Sequence, residues 1–347
     1  MAYKYEHFIP QNTAPNGTNK IGVYNAQGKR LLGIMLGGLS PKEETPLYSF
    51  GLLSDLHLNI TDGGANSTRL DTAMTFFENQ GASFCCHTGD MTNIGFYAEG
   101  DSVNLYPYQF AEYKRICDLH PNIPMYGVCG NHESYVNPIT QSLIELQEYT
   151  GHGLYYSINQ DNDVFIFIGQ PSATVPMSDE ALQWLYETLE TNRNKRCFIF
   201  VHSFLSNDSG NPFGLYENKT FDWWGVKTTA FKNLLKHYKN TILFHGHSHM
   251  DLCMQEQVKN ANYSTVFGFR SVHVPSIANG RKVVNGALTS ADGNDGYLVD
   301  VFTNRVVLRG RDFVNNKWLP IATYKIDTTL QTIEANTFTD STGTITT

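Results

Sequence analysis

The chain has 347 residues, of which 41% are hydrophobic, 13% aromatic and only 17% charged. That composition excludes a disordered or fibrous protein and implies a substantial core under a largely neutral, polar surface. The 25 basic and 33 acidic residues give a net charge of −8 with no Lys/Arg run, which argues against a long nucleic acid as the main partner, because such a partner needs many phosphate contacts.

Residues 1–46 read as a small N-terminal β appendage, with two strands in 20–36 around a turn at Asn25-Ala26-Gln27-Gly28. From residue 47 apolar strands alternate with helical patterns. Strands are expected at 48–54, 82–87 and 125–129, and helices at 67–79, 106–119 and 139–149. A hairpin follows, 154–158 and 164–169, turning at Asp161-Asn162-Asp163. The run 178–191 reads as an amphipathic helix capped by Ser178, with Leu182, Leu185 and Leu189 inward. Two more buried strands, 197–202 and 241–245, flank a helix near 227–238, and the chain after Met250 is largely strands. Alternation of this kind predicts an α/β core. Residues 331–347, rich in Thr, read as a fraying tail. No stretch approaches the ~18 apolar residues of a membrane span, and residues 1–12 lack a signal-peptide core, so a cytoplasmic location is expected. The six cysteines lack paired zinc spacing and read as buried hydrophobes in a reducing compartment.

Five polar signatures each follow an apolar strand: Ser54-Asp55-Leu56-His57, Gly89-Asp90, Gly130-Asn131-His132-Glu133, Val201-His202 and Gly246-His247-Ser248-His249. Each alone is a common turn or a satisfied histidine. Ligands of open α/β sheets bind beyond the carboxyl ends of the strands, so all five can meet on one rim. Together they supply imidazoles, two carboxylates and an amide oxygen, a donor set suited to Mn, Fe, Zn, Co or Ni.

This ordered set resembles the calcineurin-like metallophosphoesterase superfamily, over roughly 48–326. The resemblance implies a four-layer α-β-β-α sandwich of two central mixed sheets flanked by helices, with a catalytic domain over 47–330. It also implies two divalent metal ions: Asp55, His57 and His249 on the first, Asn131, His202 and His247 on the second, and Asp90 bridging both. Two divalent ions less two carboxylates leave an excess of positive charge that attracts a phosphate. A water between the ions would attack phosphorus in line. His132 is implied as general acid, since an imidazole can give up a proton near neutral pH. Glu133 reads as a residue that orients its loop.

Within the superfamily, Ser/Thr protein phosphatases carry an arginine just before the Asn-His motif and a second beside the bridging aspartate. Here Cys129 stands before the motif and the run beside the bridging aspartate is Gly89-Asp90-Met91-Thr92-Asn93, so both arginines are missing. A purple acid phosphatase has a tyrosine at the place of Asn93. What remains resembles the bacterial phosphodiesterase-like branch, and points to a small phosphodiester as substrate. A phosphomonoesterase or nucleotide pyrophosphatase is the alternative within enzymes. A non-catalytic phage- or prophage-type structural protein is the alternative outside them. Asn93 is expected to hydrogen-bond His132 through its side chain and to bind substrate together with Trp223 and Trp224, which would wall the pocket. His87 and His245 read as structural.

Overall fold

A computed structural model describes residues 20–24, 30–35, 44–59, 63–93, 105–134, 147–211, 224–291 and 293–347. The backbone divides into two compact units, 1–46 and 47–347. In the first, β1 (Lys20–Tyr24) pairs antiparallel with β2 (Arg30–Met35), with an irregularity between Val23 and Tyr24. The turn expected at 25–28 lies outside the described residues.

The second unit is built on two six-stranded sheets. In the first sheet β3 (Tyr48–Leu53), β4 (Phe84–His87) and β5 (Met125–Gly127) run parallel. That sheet continues antiparallel from β3 through three later strands, introduced below. The helices α1 (Ala65–Asn79) and α2 (Tyr106–Leu119) form the crossovers between its parallel strands. The expected helix at 139–149 falls mostly outside the described residues.

The second sheet begins with the hairpin β6 (Tyr155–Gln160) and β7 (Asp163–Ile168). The helices α3 (Asp179–Thr191) and α4 (Val226–His237) lead into the parallel strands β8 (Cys197–Phe200) and β9 (Thr241–His245). Short strands β10 (Tyr263–Ser264) and β11 (Arg270–His273) complete this sheet, in the order β10-β11-β9-β8-β7-β6. A separate hairpin, β12 (Arg281–Val284) and β13 (Ala287–Ser290), comes next. The strands β14 (Asp295–Val301), β15 (Arg305–Asp312) and β16 (Lys317–Asp327) then return to the first sheet, in the order β16-β15-β14-β3-β4-β5.

Alternation along the buried strands assembles the four layers. In β8, Phe198 and Phe200 point into the space between the sheets, while Cys197 and Ile199 face the outer helices. Phe50, Phe84, Phe165, Phe198, Phe200 and Phe244 fill the middle layer, with Phe50 edge-on to Phe165 at 5.2 Å and Phe167 stacked on Phe200 at 4.7 Å. Outside the first sheet, Leu70, Met74 and Phe77 of α1 meet Phe110 and Ile116 of α2. Outside the second, Leu182, Leu185 and Leu189 of α3 meet Phe231, Leu234 and Leu235 of α4. Ser178 caps α3 through the amide of Ala181, as its sequence indicates.

Residues 331–347 do not fray. Ile333, Phe338 and Ile345 are buried in the α3–α4 core, and Asn194 and Asn240 tie the main chain at 331–333. Three well-spaced apolar side chains dock a segment whose Thr-rich composition suggested a free end. At the edge between the sheets Arg196 forms a buried two-pronged ion pair with Asp163 (2.6 and 3.1 Å) and donates to the Phe302 carbonyl. Tyr48 donates to the same carboxylate at 2.6 Å. Among the described residues no helix is long and apolar enough to cross a membrane.

Candidate metal centre

Five of the parallel strands that end at this rim each deliver one signature. Asp55 and His57 follow β3, Asp90 follows β4, Asn131 and His132 follow β5, His202 follows β8, and His247 and His249 follow β9. The reversals are abrupt: Asp55 (φ 50°), His57 (45°), Asp90 (49°), His247 (69°) and His249 (59°) all sit in the left-handed region. Such backbone costs about 1–3 kcal/mol per residue and persists where the surroundings over-determine it, as at ligand clamps. The motif glycines admit the close approach. A Cβ on Gly130 would lie 2.0 Å from Asp90 Oδ1, and one on Gly246 only 1.9 Å from Ser54 Oγ.

Two donor groups result, and Asp90 belongs to both: Asp55, His57, Asp90 and His249 in one, Asp90, His202 and His247 in the other. In the first, Nε2 of His57 and Nε2 of His249 lie 3.1 Å apart, and Asp55 Oδ1 lies 3.0 Å from His249 Nε2. In the second, His202 Nε2 lies 3.0 Å from His247 Nδ1, 3.2 Å from Asp90 Oδ2 and 2.9 Å from Asn131 Oδ1. All seven residues are buried or nearly so.

The outer nitrogens fix the tautomers. His202 Nδ1 donates to the Thr88 carbonyl (2.9 Å) and His249 Nδ1 to the Asn279 carbonyl (2.8 Å), so that in the neutral rings it is the Nε2 lone pair that faces inward. Asp55 is oriented by its other oxygen. Oδ2 accepts from Ser54 Oγ at 2.5 Å and from the His247 amide at 3.0 Å, while Thr88 Oγ1 donates to Ser54 at 2.6 Å. Buried Oδ1 has no hydrogen-bond partner. An orphaned carboxylate oxygen among converging imidazole lone pairs fits a cation and little else, so the residues fit the two divalent ions.

In the bare chain Asp90 holds a proton on His202 that a cation would displace. Burial pushes His57 down to about 3, and the neighbouring His249 adds to the effect. Burial also opposes charge on His202, but Asp90 outweighs it and raises the imidazole to about 9. Burial disfavours ionised Asp55 and Asp90, yet the imidazoles beside them hold both carboxyls well below the usual range.

His132 stands at the rim rather than inside a donor group. Its amide donates to Asp90 Oδ1 (2.9 Å), its Nε2 lies 3.8 Å from Asp90 Oδ2, and its ring keeps 22% of its surface. Its Nδ1 bonds the main-chain carbonyl of Asn93. This corrects the expected side-chain contact: the loop after Asp90 turns so that the Asn93 carbonyl, not its amide, meets the ring. Glu133 accepts from the Thr92 amide and hydroxyl and from the Gly130 amide (2.7, 2.8 and 2.7 Å), clamping two loops together. Burial, then Asp90, pushes its carboxyl up.

A cavity of about 570 Å³ opens beside the centre, lined in part by His57, His249, His132 and Asn93. Trp223 lies outside the described residues. Trp224 is placed elsewhere: it packs on the α3–α4 core, with Lys227 over its ring, and does not line this cavity. His87 and His245 are structural, bonding Tyr113 (3.2 Å) and Ser209 (2.9 Å) respectively. Sequence reasoning missed Ser54, Thr88 and Asn279. The first two adjoin their motifs and could have been noticed, but nothing in the sequence joins Asn279 to His249.

Fold and donor set together define a metallohydrolase on a four-layer sandwich. Residues 48–251 match the calcineurin-like phosphoesterases; the chain belongs to that family, whose members are hydrolases that use two divalent metal ions. Among solved structures the chain is similar to a dimetal phosphatase from Danio rerio, with 14% identity and a TM-score of 0.56, over 82% of this chain and 100% of that one. It is also similar to GAP50, the anchor in the inner membrane complex of Plasmodium, with 13% identity and a TM-score of 0.50, over 84% of this chain and 90% of that one. At these identities the likeness is one of fold. No curated protein matches the sequence.

Proposed function

We propose that the chain is a dinuclear metal-dependent hydrolase of small phosphodiesters. The observation that carries this reading is Asp90, whose carboxylate reaches both donor groups. Asp55, His57 and His249 would hold one ion, Asn131, His202 and His247 the other, and Asp90 both. When bound, the pair supplies Lewis acidity toward the phosphoryl oxygens and activation of a water nucleophile for in-line attack. The chain's own residues do the rest. Ser54, Thr88 and Asn279 fix the direction of the donors, and the imidazole and amide donors leave the site's positive charge uncancelled. His132, with Nδ1 engaged by the Asn93 carbonyl, presents Nε2 to the cavity, and its protonated ring would give that proton to the departing oxygen.

The test is metal analysis combined with turnover of aryl phosphate monoesters and diesters. The reading expects two ions per chain, a diester preference, and loss of both ions and activity in Asp90→Ala. One ion or none per chain, or an Asp90→Ala variant as active as the parent, would overturn it. A preference for monoesters would keep the metal site and replace the substrate class.

A further inference from the structure

The donors of the first ion are not all held in the same way. His249 is anchored through Nδ1 on the Asn279 carbonyl, and Asp55 through Oδ2 on Ser54 and the His247 amide. His57 lacks such an anchor, because its Nδ1 is buried without a hydrogen-bond partner among the described residues. Its main chain, in the left-handed region at φ 45°, is left to set its direction. The His57 amide donates to the Asp90 carbonyl at 2.9 Å, and the His57 carbonyl accepts from Asn66 Nδ2 at 2.8 Å.

Asn66 lies in the first turn of α1, and Arg69 stands three residues further on. Arg69 Nη1 donates to Asn66 Oδ1 at 3.3 Å and to the Ala278 carbonyl. Ala278 belongs to the segment 276–281, which holds the other two ligands of the first ion. Ser276 Oγ donates to the Asp55 carbonyl at 3.0 Å, and the Arg281 amide donates to the His249 carbonyl at 2.8 Å. Ser276 Oγ also accepts from the amides of Ala278 (3.1 Å) and Asn279 (2.9 Å), which fixes the turn whose Asn279 carbonyl meets His249. A line of contacts thus runs from His57 through Asn66, Arg69 and Ala278 to His249. In the second donor group, His202 is held instead by the Thr88 carbonyl, after β4. Neither Asn66 nor Arg69 belongs to a signature motif, and 276–281 lies outside the residues that match the family.

We propose that Arg69 is a positioning residue for the first metal ion: with Asn66 it locks the 276–281 segment onto α1 and so fixes His57 and His249 about one cation. This rests on the dinuclear reading above and makes the two ions unequal in their dependence on α1. The sign of the effect separates this role from that of a bare charge. A guanidinium near two cations opposes them, so as a charge alone its removal tightens metal binding. As a brace its removal loosens one ion, by the 10- to 100-fold typical of groups that orient metal ligands.

The experiment titrates chelator-treated full chain with manganese, by calorimetry and by electron paramagnetic resonance, in which two neighbouring ions give a coupled signal and a lone ion does not. The parent is expected to bind two ions. Arg69→Met should weaken one of them by about tenfold or more and leave the other nearly unchanged, so that uncoupled manganese appears at intermediate metal. Asn66→Ala should do the same, with little further loss in the double variant, and Arg69→Lys should recover part of the affinity. In a His249→Ala background, which has lost the first ion, Arg69→Met should not alter the second. Unchanged or tighter binding in Arg69→Met, an equal loss of both ions, or a loss that persists in the His249→Ala background would overturn the proposal. If the parent hydrolyses no aryl phosphate ester while Arg69→Met still loses one ion selectively, the brace stands and the hydrolase reading fails.

Discussion

Nε2 of His57 and Nε2 of His249 face each other at 3.1 Å, inside a buried pocket, with Asp55 Oδ1 3.0 Å from the second. The Asn279 carbonyl occupies the only proton His249 carries when neutral, so its Nε2 meets the other imidazole as a bare lone pair. A divalent ion relieves this arrangement. Adding manganese to chelator-treated protein is therefore expected to raise Tm, with a stabilisation of about 2.7 kcal/mol once free metal reaches one hundred times its Kd. His249→Ala should remove the first ion and most of this gain. A Tm indifferent to manganese would show that the two nitrogens do not share a cation.

Ser54 acts on the centre through Asp55. Its hydroxyl donates to Oδ2 at 2.5 Å and is itself held by Thr88, which turns Oδ1 toward the imidazoles. Such outer partners typically affect metal affinity by 10- to 100-fold. Ser54→Ala should weaken manganese binding by that range, with Ser54→Thr recovering part of it. Calorimetric titration of the metal, read beside the Tm of the chelated protein, separates loss of orientation from loss of folding.

The reach of the sequence can be judged at these residues. Asp55, Asp90, His202 and His249 were legible because each follows an apolar parallel strand, and such strands end on one rim. Their distances were not, because they depend on left-handed turns and on the room that Gly130 and Gly246 leave. Trp224 misled because aromatic residues between two ligand segments serve a core as readily as a pocket. The tail misled for a related reason: Ile333, Phe338 and Ile345 are too far apart to form a periodic pattern, yet each finds a place on the α3–α4 core.

Stability at the sheet edge should depend on Arg196. Its guanidinium is buried, paired with Asp163 and bonded to the Phe302 carbonyl. Removing one partner of such a pair leaves an uncompensated charge, so Arg196→Ala is expected to cost about 3–5 kcal/mol. Tyr48→Phe, which deletes one hydrogen bond to the same carboxylate, should cost about 1.5–3 kcal/mol. Urea unfolding of both variants measures the two values. An Arg196→Ala cost below that of Tyr48→Phe would count against the pair as a structural anchor.

Three histidines away from the donor groups set an acid limit. Burial, first of all, pushes His87 down to about 3, His273 to about 4 and His245 well below its ordinary range. In the unfolded chain these imidazoles take up protons near pH 6.5, whereas the folded chain keeps them neutral. The unfolded state therefore binds more protons as pH falls below 6.5, and stability declines with it. The slope is about 1.4 kcal/mol per pH unit for each histidine, continuing toward pH 4 for His273 and pH 3 for His87. His245→Gln should make the measured dependence shallower by about one proton between pH 6 and 5. An unchanged slope would mean that His245 titrates alike in both states.

The role of His132 can be separated from that of the metal ligands by the leaving group. Its Nδ1 is fixed by the Asn93 carbonyl, and its Nε2 lies 3.8 Å from Asp90 Oδ2 beside the cavity. An alkoxide needs a proton as it departs, but 4-nitrophenolate leaves readily without one. Loss of a general acid typically costs 10²- to 10⁴-fold. His132→Ala should therefore lose that much activity on an alkyl phosphodiester, and far less on a 4-nitrophenyl ester. Both variant and parent should still bind two manganese ions, since His132 belongs to neither donor group. Equal losses on the two esters would instead make His132 an electrostatic partner of the phosphoryl group, with the proton coming from elsewhere.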